Sequence, residues 1–241
     1  MNSGDHGVGV VMRPTHTLLP AALAAAFLAA GNAHAGVIYD NGGPNQSANQ
    51  LADTTYFFTE AADEFSLVAG STTIGDVHWW GGCAINDGGT LTTGTDCPSP
   101  GAFTLSFYND SGSNSPGTLI MSYDVGNANQ TLTGLTIAAR GGIPEYSYSA
   151  TIPGLPLTAG TEYWLGISNT TTTDFVWGWE FHSQGNGDDF QFGGGIWNAR
   201  GNDLAFNLTG VPEPASVALL GAGLLGLATM RRRRKAKNTI R

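Results

Sequence analysis

Hydrophobic and polar residues alternate with a period of two through much of this chain between residues 36 and 210. Six sets of residues each share one face in this way: Phe65 and Leu67; Phe103, Leu105 and Phe107; Tyr146, Tyr148, Ala150 and Ile152; Tyr163, Leu165 and Ile167; Phe175, Trp177, Trp179 and Phe181; and Leu204, Phe206 and Leu208. Side chains alternate between the two faces of a β-strand, so this spacing predicts strands rather than helices.

Glycine-rich turns such as Asn41-Gly42-Gly43 and Gly141-Gly142 separate the predicted strands, as these residue types favour tight turns. Four further segments bring the total to about ten strands; they are 37–40, 72–80, 119–124 and 130–137. Many short strands joined by such turns predict an all-β fold, an antiparallel β-sandwich of the jelly-roll kind, over residues 36–210. No internal repeat occurs in the sequence, which argues against a propeller or a β-helix.

Two apolar runs do not alternate, and the first lies near the amino terminus. Residues 18–30 are rich in Ala and Leu, and Ala33-His34-Ala35 has the small-x-small form of a cleavage site. Residues 1–35 are therefore predicted to be a secretory signal peptide, with the mature chain beginning at Gly36. Met12 makes a more ordinary signal-peptide start than Met1, so we expect translation to begin there.

The second apolar run, residues 217–230, follows Pro212-Glu213-Pro214 and ends at Arg231–Arg234. The two prolines prevent a helix from passing through the motif. The run has 14 residues without charge, fewer than the ~20 that a bilayer core needs, but flanking Arg side chains can snorkel to the head groups. We expect a short transmembrane helix with its basic end in the cytoplasm; the alternative is a buried core helix followed by a solvated basic tail.

Residues 211–241 resemble a PEP-CTERM sorting signal, in which a Pro-Glu-Pro motif, an apolar helix and an arginine cluster end the chain. Pro212, Glu213 and Pro214, and then Arg231, Arg232, Arg233 and Arg234, match this order. The resemblance implies export across the inner membrane of a Gram-negative bacterium, transient anchoring there, and removal of the tail by exosortase, a membrane protease-transpeptidase. It further implies a final place at the cell surface or in an exopolysaccharide-rich matrix such as a biofilm.

The charge of the chain is divided between its middle and its end. Residues 36–210 contain Arg140 and Arg200 against 17 Asp and Glu, a net charge of 2 − 17 = −15, whereas the whole chain carries −9. Such a surface repels nucleic acids and anionic lipids. Neutral glycans and divalent cations are compatible partners, and simple solubility is the alternative explanation.

Cys83 and Cys97 are the only cysteines of the chain. Two cysteines in an exported protein usually pair. We therefore predict a disulfide that closes a loop rich in Gly, Thr and Asp, stabilising the fold by about 3 kcal/mol in the chain-entropy model. A thiol nucleophile or a metal-binding pair is the alternative.

Tryptophan is the residue type that most favours glycan binding, because sugar rings have apolar faces that stack on exposed aromatic rings. Three of the six tryptophans share a face with apolar residues and are predicted to fill the core: Trp79, Trp177 and Trp179. The other three are candidate glycan-binding residues: Trp80, Trp164 and Trp197. Trp164 is also close to a strand end rich in hydroxyl and amide groups, residues 168–173.

Carboxylates offer a second kind of chemistry, since a glycosidase needs two of them facing one cleft. The spacing of Glu145, Glu162 and Glu180 singles out no pair, and solvated surface acids are the alternative. Asp188 and Asp189 lie in a glycine-rich segment and are candidate Ca²⁺ ligands, although the regular spacing of Ca²⁺ loops is missing. No catalytic residue and no other cofactor is predicted.

Two functions are therefore open. The first is a non-enzymatic, exported surface or matrix protein with exopolysaccharide as its candidate ligand. The alternative is a secreted hydrolase acting on polysaccharide. Two carboxylates facing each other in a cleft would favour the hydrolase, and an aromatic surface without such a pair would favour the binding protein.

Overall fold

A computed structural model describes residues 36–211, apart from residues 71, 95, 96, 98–101, 173 and 184–186, together with Gly223. The predicted signal peptide, with its start at Met12, lies outside the described residues. So do the Pro-Glu-Pro motif, the arginine cluster Arg231–Arg234 and, Gly223 excepted, the apolar run. Among the described residues, no helix is long and apolar enough to cross a membrane.

Within the described part the chain forms fourteen β-strands and one short 3₁₀ turn, Ala139–Gly141. The strands are β1 (Val37–Gly42), β2 (Pro44–Leu51), β3 (Glu60–Ser66), β4 (Thr73–Asp87), β5 (Thr90–Thr92), β6 (Ala102–Asp110), β7 (Pro116–Gly126), β8 (Asn129–Ile137), β9 (Ile143–Pro156), β10 (Glu162–Thr170), β11 (Phe175–His182), β12 (Phe190–Gly193), β13 (Ile196–Ala199) and β14 (Phe206–Gly210). Each segment that alternation predicts to be a strand is found as one.

The strands form two antiparallel sheets. The larger sheet has eight strands, with β1, β14, β4, β11 and β2 in that order, β9 and β5 also paired to β4, and β8 paired to β9. The smaller sheet has six strands, in the order β13, β12, β3, β10, β6 and β7. The apolar faces of the two sheets pack on each other, so the predicted all-β, antiparallel sandwich class is confirmed.

Aromatic side chains from both sheets fill the space between them. Phe103 of β6 lies 5.2 Å from Trp79 and 5.0 Å from Trp177, measured between ring centroids. Trp79, Trp177 and Trp179 are all buried, as the alternation predicts. Large rings that meet edge to face add to the stabilisation that their burial provides.

β2 is the main element that alternation does not predict, because its sequence, PNQSANQL, is almost wholly polar. It pairs with β11 at the edge of the larger sheet. A Cβ atom added at Gly178 of β11 would lie 2.6 Å from the Asn49 side chain. Gly178 thus leaves room for the Asn49 side chain. β2 therefore packs against β11 through a close polar contact and not through buried apolar side chains.

Cys83 of β4 and Cys97 form the predicted disulfide. Both side chains are buried, and the Tyr148 hydroxyl donates to Cys97 Sγ at 3.7 Å. The bond ties Cys97, which lies after β5, to the core strand β4.

Candidate functional site

Trp164 corrects one of the sequence predictions, because it is not exposed. Its exposed fraction is 0%. The indole packs against Phe190 at 5.2 Å and its Nε1–H donates to Asp110 Oδ1 at 3.2 Å. Alternation correctly placed Trp164 on the face opposite the core. On that outer face, however, Phe190 of β12 packs against the indole and covers it. Trp164 therefore cannot stack on a sugar ring.

Trp80 is half-buried and lies on the outer face of the larger sheet. Its neighbour two residues earlier, His78, contacts Asp76 at 2.7 Å between Nε2 and Oδ1. In the strand register, Trp80 lies opposite Ser147 of β9. Trp80 is the one tryptophan on this face.

Trp197 is part of a cluster of aromatic rings on the outer face of the smaller sheet. Its ring centroid lies 5.5 Å from that of Tyr108 and 5.2 Å from that of Phe192. All three side chains are half-buried, and Ile196 beside them is exposed. The hairpin of β12 and β13 thus places the predicted tryptophan against residues of β6, which sequence spacing alone does not reveal.

A carboxyl group completes this cluster. The Tyr108 hydroxyl donates to Glu60, at 3.0 Å from Oε1 and 3.1 Å from Oε2. Gly166 of β10 makes room for Glu60, because a Cβ there would lie 2.1 Å from Oε1. Burial raises the pKa of Glu60, and its hydrogen bonds with Tyr108 and Ser106 partly oppose that rise.

Phe58 lies in the loop before β3, two residues before Glu60 in the sequence, and its exposed fraction is 74%. Its backbone has φ of 52°, a left-handed conformation that is rare for a bulky aromatic residue and is found where the surroundings enforce it. The loop is held by Asp53, which is buried and accepts hydrogen bonds from the backbone of Thr55 at 2.9 Å and Tyr56 at 3.2 Å. The structure therefore presents the ring of Phe58 to solvent on a fixed support.

We call Glu60, Tyr108, Phe192 and Trp197 the outer aromatic site. Aromatic rings can cover the apolar face of a sugar, and a carboxyl group can bind its hydroxyls, the combination that small-molecule sites use. Sequence reasoning found Trp197 alone of these four. The run Tyr56-Phe57-Phe58 was a usable signal for the exposed ring of Phe58, because three successive aromatic residues cannot all face a core.

A groove lies between the connection of β7 to β8 and strand β9, with a volume of about 540 Å³. Its lining is mostly neutral: Ser122, Tyr123, Asp124, Val125, Asn127, Ala128, Asn129, Ser149, Ala150, Thr151 and Pro153. The Tyr123 hydroxyl donates to Pro153 O at 3.3 Å. This groove has one aromatic residue and is a less complete sugar site than the outer aromatic site.

Glu145 and Glu180 come together, which their spacing did not predict. Gln46 links them, since its backbone N–H donates to Glu180 Oε1 and its Nε2 donates to Glu145 Oε2, both at 2.8 Å. Burial and the adjacent Glu145 carboxyl raise the pKa of Glu180 to about 8. Glu180 Oε2 has no hydrogen-bond donor among the described residues.

The acid pair does not have the geometry of a glycosidase site. Glu145 is 1% exposed and Glu180 0%, so the two carboxyls face each other within the fold and not across a cleft. Gln46 contacts both carboxyls within the fold, whereas the two carboxyls of a glycosidase flank the glycosidic bond on which they act. The third candidate, Glu162, lies on β10 and is not part of this pair.

Asp188 and Asp189, the candidate Ca²⁺ ligands, differ in their surroundings. Asp188 is half-buried, whereas Asp189 is buried and its Oδ1 accepts from the backbone of Asn202 at 2.7 Å. Burial raises the pKa of Asp189. Among the described residues, no group of three or more His, Cys, Asp or Glu side chains is arranged to hold a metal ion. Calcium binding at these residues stays a prediction.

Comparison with protein families supports the interpretation of the carboxyl terminus. Residues 210–234 match the model of the PEP-CTERM protein-sorting motif. The chain thus carries a PEP-CTERM signal, which implies export, transient contact with the membrane and exosortase as the processing enzyme. No curated protein matches the chain significantly.

One solved structure with partial similarity contains the cysteine protease and lectin-like domains of Cwp84, a surface layer associated protein of Clostridium difficile. The two chains are 12% identical, with a TM-score of 0.38 over 63% of this chain. The match covers 31% of the other protein's chain.

Proposed function

We propose that this chain, which carries a PEP-CTERM signal, is an exported surface or matrix protein whose β-sandwich binds neutral exopolysaccharide and catalyses no reaction. The outer aromatic site is the observation on which the proposal depends. It combines the half-buried rings of Tyr108, Phe192 and Trp197 with the Glu60 carboxyl group on one surface. Flat, chain-like ligands suit a surface of this kind better than an enclosed pocket.

The chemistry of the site favours a neutral sugar polymer. Glu60 accepts from Tyr108 on both oxygens and keeps further lone pairs with which to accept from sugar hydroxyls. A net charge of 2 − 17 = −15 over residues 36–210 disfavours an anionic polymer, most strongly at low ionic strength. The sorting signal would bring the protein to the place where such polymers are found.

The alternative function, hydrolysis of polysaccharide, would use Glu145 and Glu180, the two carboxyls that Gln46 links. Glu145 and Glu180 are too well covered to act on a glycosidic bond in this conformation. The alternative would therefore need another pair of acids or an opening of the fold.

One experiment separates these functions. The exported protein, purified after processing, is run through gels that contain either a neutral or an anionic polysaccharide, and release of reducing sugar is measured in parallel. We expect retardation by the neutral polymer that weakens little with salt, and no release of sugar. Equal mobility in all gels would contradict the proposal, and release of sugar would support the hydrolase.

A further inference from the structure

The sorting signal begins inside the folded sandwich. Its family match starts at Gly210, the last residue of β14. The Gly210 N–H donates to Gly36 O at 2.9 Å, and the Val211 N–H donates to Thr73 O at 3.2 Å. The first two residues of the match are therefore held by backbone hydrogen bonds to the start of β4 and to the first residue of the predicted mature chain.

Two glycines form a seat for the Val211 side chain. A Cβ atom added at Gly75 would lie 3.0 Å from Val211 Cγ2 and 3.2 Å from its Cα. A Cβ added at Gly154 would lie 3.0 Å from the same methyl group. Only with glycine at both positions does Val211 lie flat against β4 and β9, and its exposed fraction in this position is 46%.

No linker separates this seat from the Pro-Glu-Pro motif. Pro212 lacks an N–H and so cannot continue the pairing of β14, and it restricts Val211 to an extended backbone. An enzyme that processes the motif needs an extended peptide on both sides of it, as peptide-binding clefts generally do. The residues on the amino-terminal side are those that the sandwich holds.

We propose that the Val211 seat, built from Thr73, Gly75 and Gly154, restrains the sorting motif, and that exosortase acts on it only after Val211 has left the seat. The folded sandwich thereby sets the rate of its own processing. Residues whose hydrogen bonds lie at the end of a strand open locally much more often than the core does, so the restraint slows processing without preventing it.

The test uses the full chain in a host that has exosortase, with a host lacking it as the blank. Gly75→Ala and Gly154→Ala each place a methyl group in the seat, where the backbone itself tolerates alanine because neither glycine has a positive φ. Val211→Ala removes the seated methyl groups without adding a clash. Gly43→Ala is the matched control, because its added methyl would meet nothing within 4 Å.

Loss of the tail is followed over time by mass spectrometry, and the melting temperature of each processed protein is measured alongside. The seat variants should be processed about fivefold faster than the wild type, the factor expected when a strand end loses roughly one hydrogen bond of stability. A linker of about six Gly and Ser residues between Val211 and Pro212, which adds roughly 13 Å of reach, should also speed processing. Gly43→Ala should have no effect.

Three results would overturn the proposal. Unchanged rates in the seat variants would show that Val211 does not limit processing. Slower processing in seat variants that melt normally would show that the seat presents the motif instead of restraining it. If the linker variant alone is processed faster, the distance between the sandwich and the motif limits the rate of processing, and the seat does not.

Discussion

Trp197 and Tyr108 meet edge to face on the outer surface of the smaller sheet, with ring centroids 5.5 Å apart and ring planes at 80°. Aromatic pairs favour this arrangement because the positive edge of one ring faces the negative face of the other. The same Tyr108 donates its hydroxyl proton to Glu60. One tyrosine thus connects the tryptophan that sequence reasoning selected to a carboxyl group that it did not.

Tyr108→Phe tests the hydrogen bond from Tyr108 to Glu60, because it keeps the ring and removes the donor. The Tyr108 hydrogen bond lowers the pKa of Glu60 against the effect of burial, so its removal should raise that pKa further. A carboxyl titration by NMR measures the change. Tyr123→Phe is the control, since the Tyr123 hydroxyl binds a backbone carbonyl and not a carboxylate. A pKa of Glu60 that stays constant or falls would contradict the assigned contact.

Trp164→Ala should destabilise the sandwich by about 3–5 kcal/mol, the range for truncating a fully buried large aromatic residue. The indole is 0% exposed in the wild type. The variant also loses the hydrogen bond that Trp164 Nε1 donates to Asp110. Urea denaturation of the processed protein measures the free energy of unfolding. Trp80→Ala, at a half-buried position, is the comparison and should cost clearly less. Equal losses in the two variants would mean that Trp164 is not covered as described.

The Glu145–Glu180 pair predicts a loss of stability as the pH rises. The pKa of Glu180 is about 8 in the fold against an ordinary value of 4.5, so between these values the folded state holds a proton that the unfolded chain releases. The stabilisation is complete below about 4.5 and is lost as the pH rises through about 8, by up to roughly 1.4 kcal/mol per pH unit.

Glu180→Gln should flatten this pH dependence, since the amide side chain does not titrate in this range. Free energies of unfolding are measured between pH 5 and pH 9, and the difference between wild type and variant is taken at each pH because other buried acids also contribute. Asp87→Asn, at an exposed position, should leave the profile as it is. A Glu180→Gln profile parallel to that of the wild type would rule out the raised pKa of Glu180.

Replacing both Cys83 and Cys97 by serine should lower the free energy of unfolding by about 3 kcal/mol, the chain-entropy value for a loop of this length. Thiol labelling of the exported wild type, without reductant, should detect no free cysteine. Labelled thiols on folded, exported protein would show that the disulfide of the structure does not form in the cell.

Alternation of apolar and polar residues predicted the strands and their inward faces because burial between two sheets selects every second residue. It placed Trp177 and Trp179 in the core and separated Trp164 from them. It could not tell that Trp164 is covered, because alternation assigns a face but not what packs on that face. The covering ring belongs to Phe190, in a strand with too few apolar residues to predict.

The pairing of Glu145 with Glu180 was out of reach for a related reason. The two residues lie on β9 and β11, which are both neighbours of β4, and this relationship depends on the order of strands in the sheet. Sequence spacing fixes the contacts within a strand and its hairpin but not between strands far apart in the chain. Trp197 and Tyr108 meet for the same reason.

The most direct test of the account compares two half-buried tryptophans, Trp197 at the outer aromatic site and Trp80 on the larger sheet. Each is changed to alanine, and the dissociation constant for a neutral polysaccharide is measured together with the melting temperature. We predict that Trp197→Ala weakens binding about tenfold, roughly 1.4 kcal/mol, while Trp80→Ala leaves it unchanged and both proteins stay folded. Undiminished binding by folded Trp197→Ala, or an equal loss in Trp80→Ala, would contradict the assignment of the site.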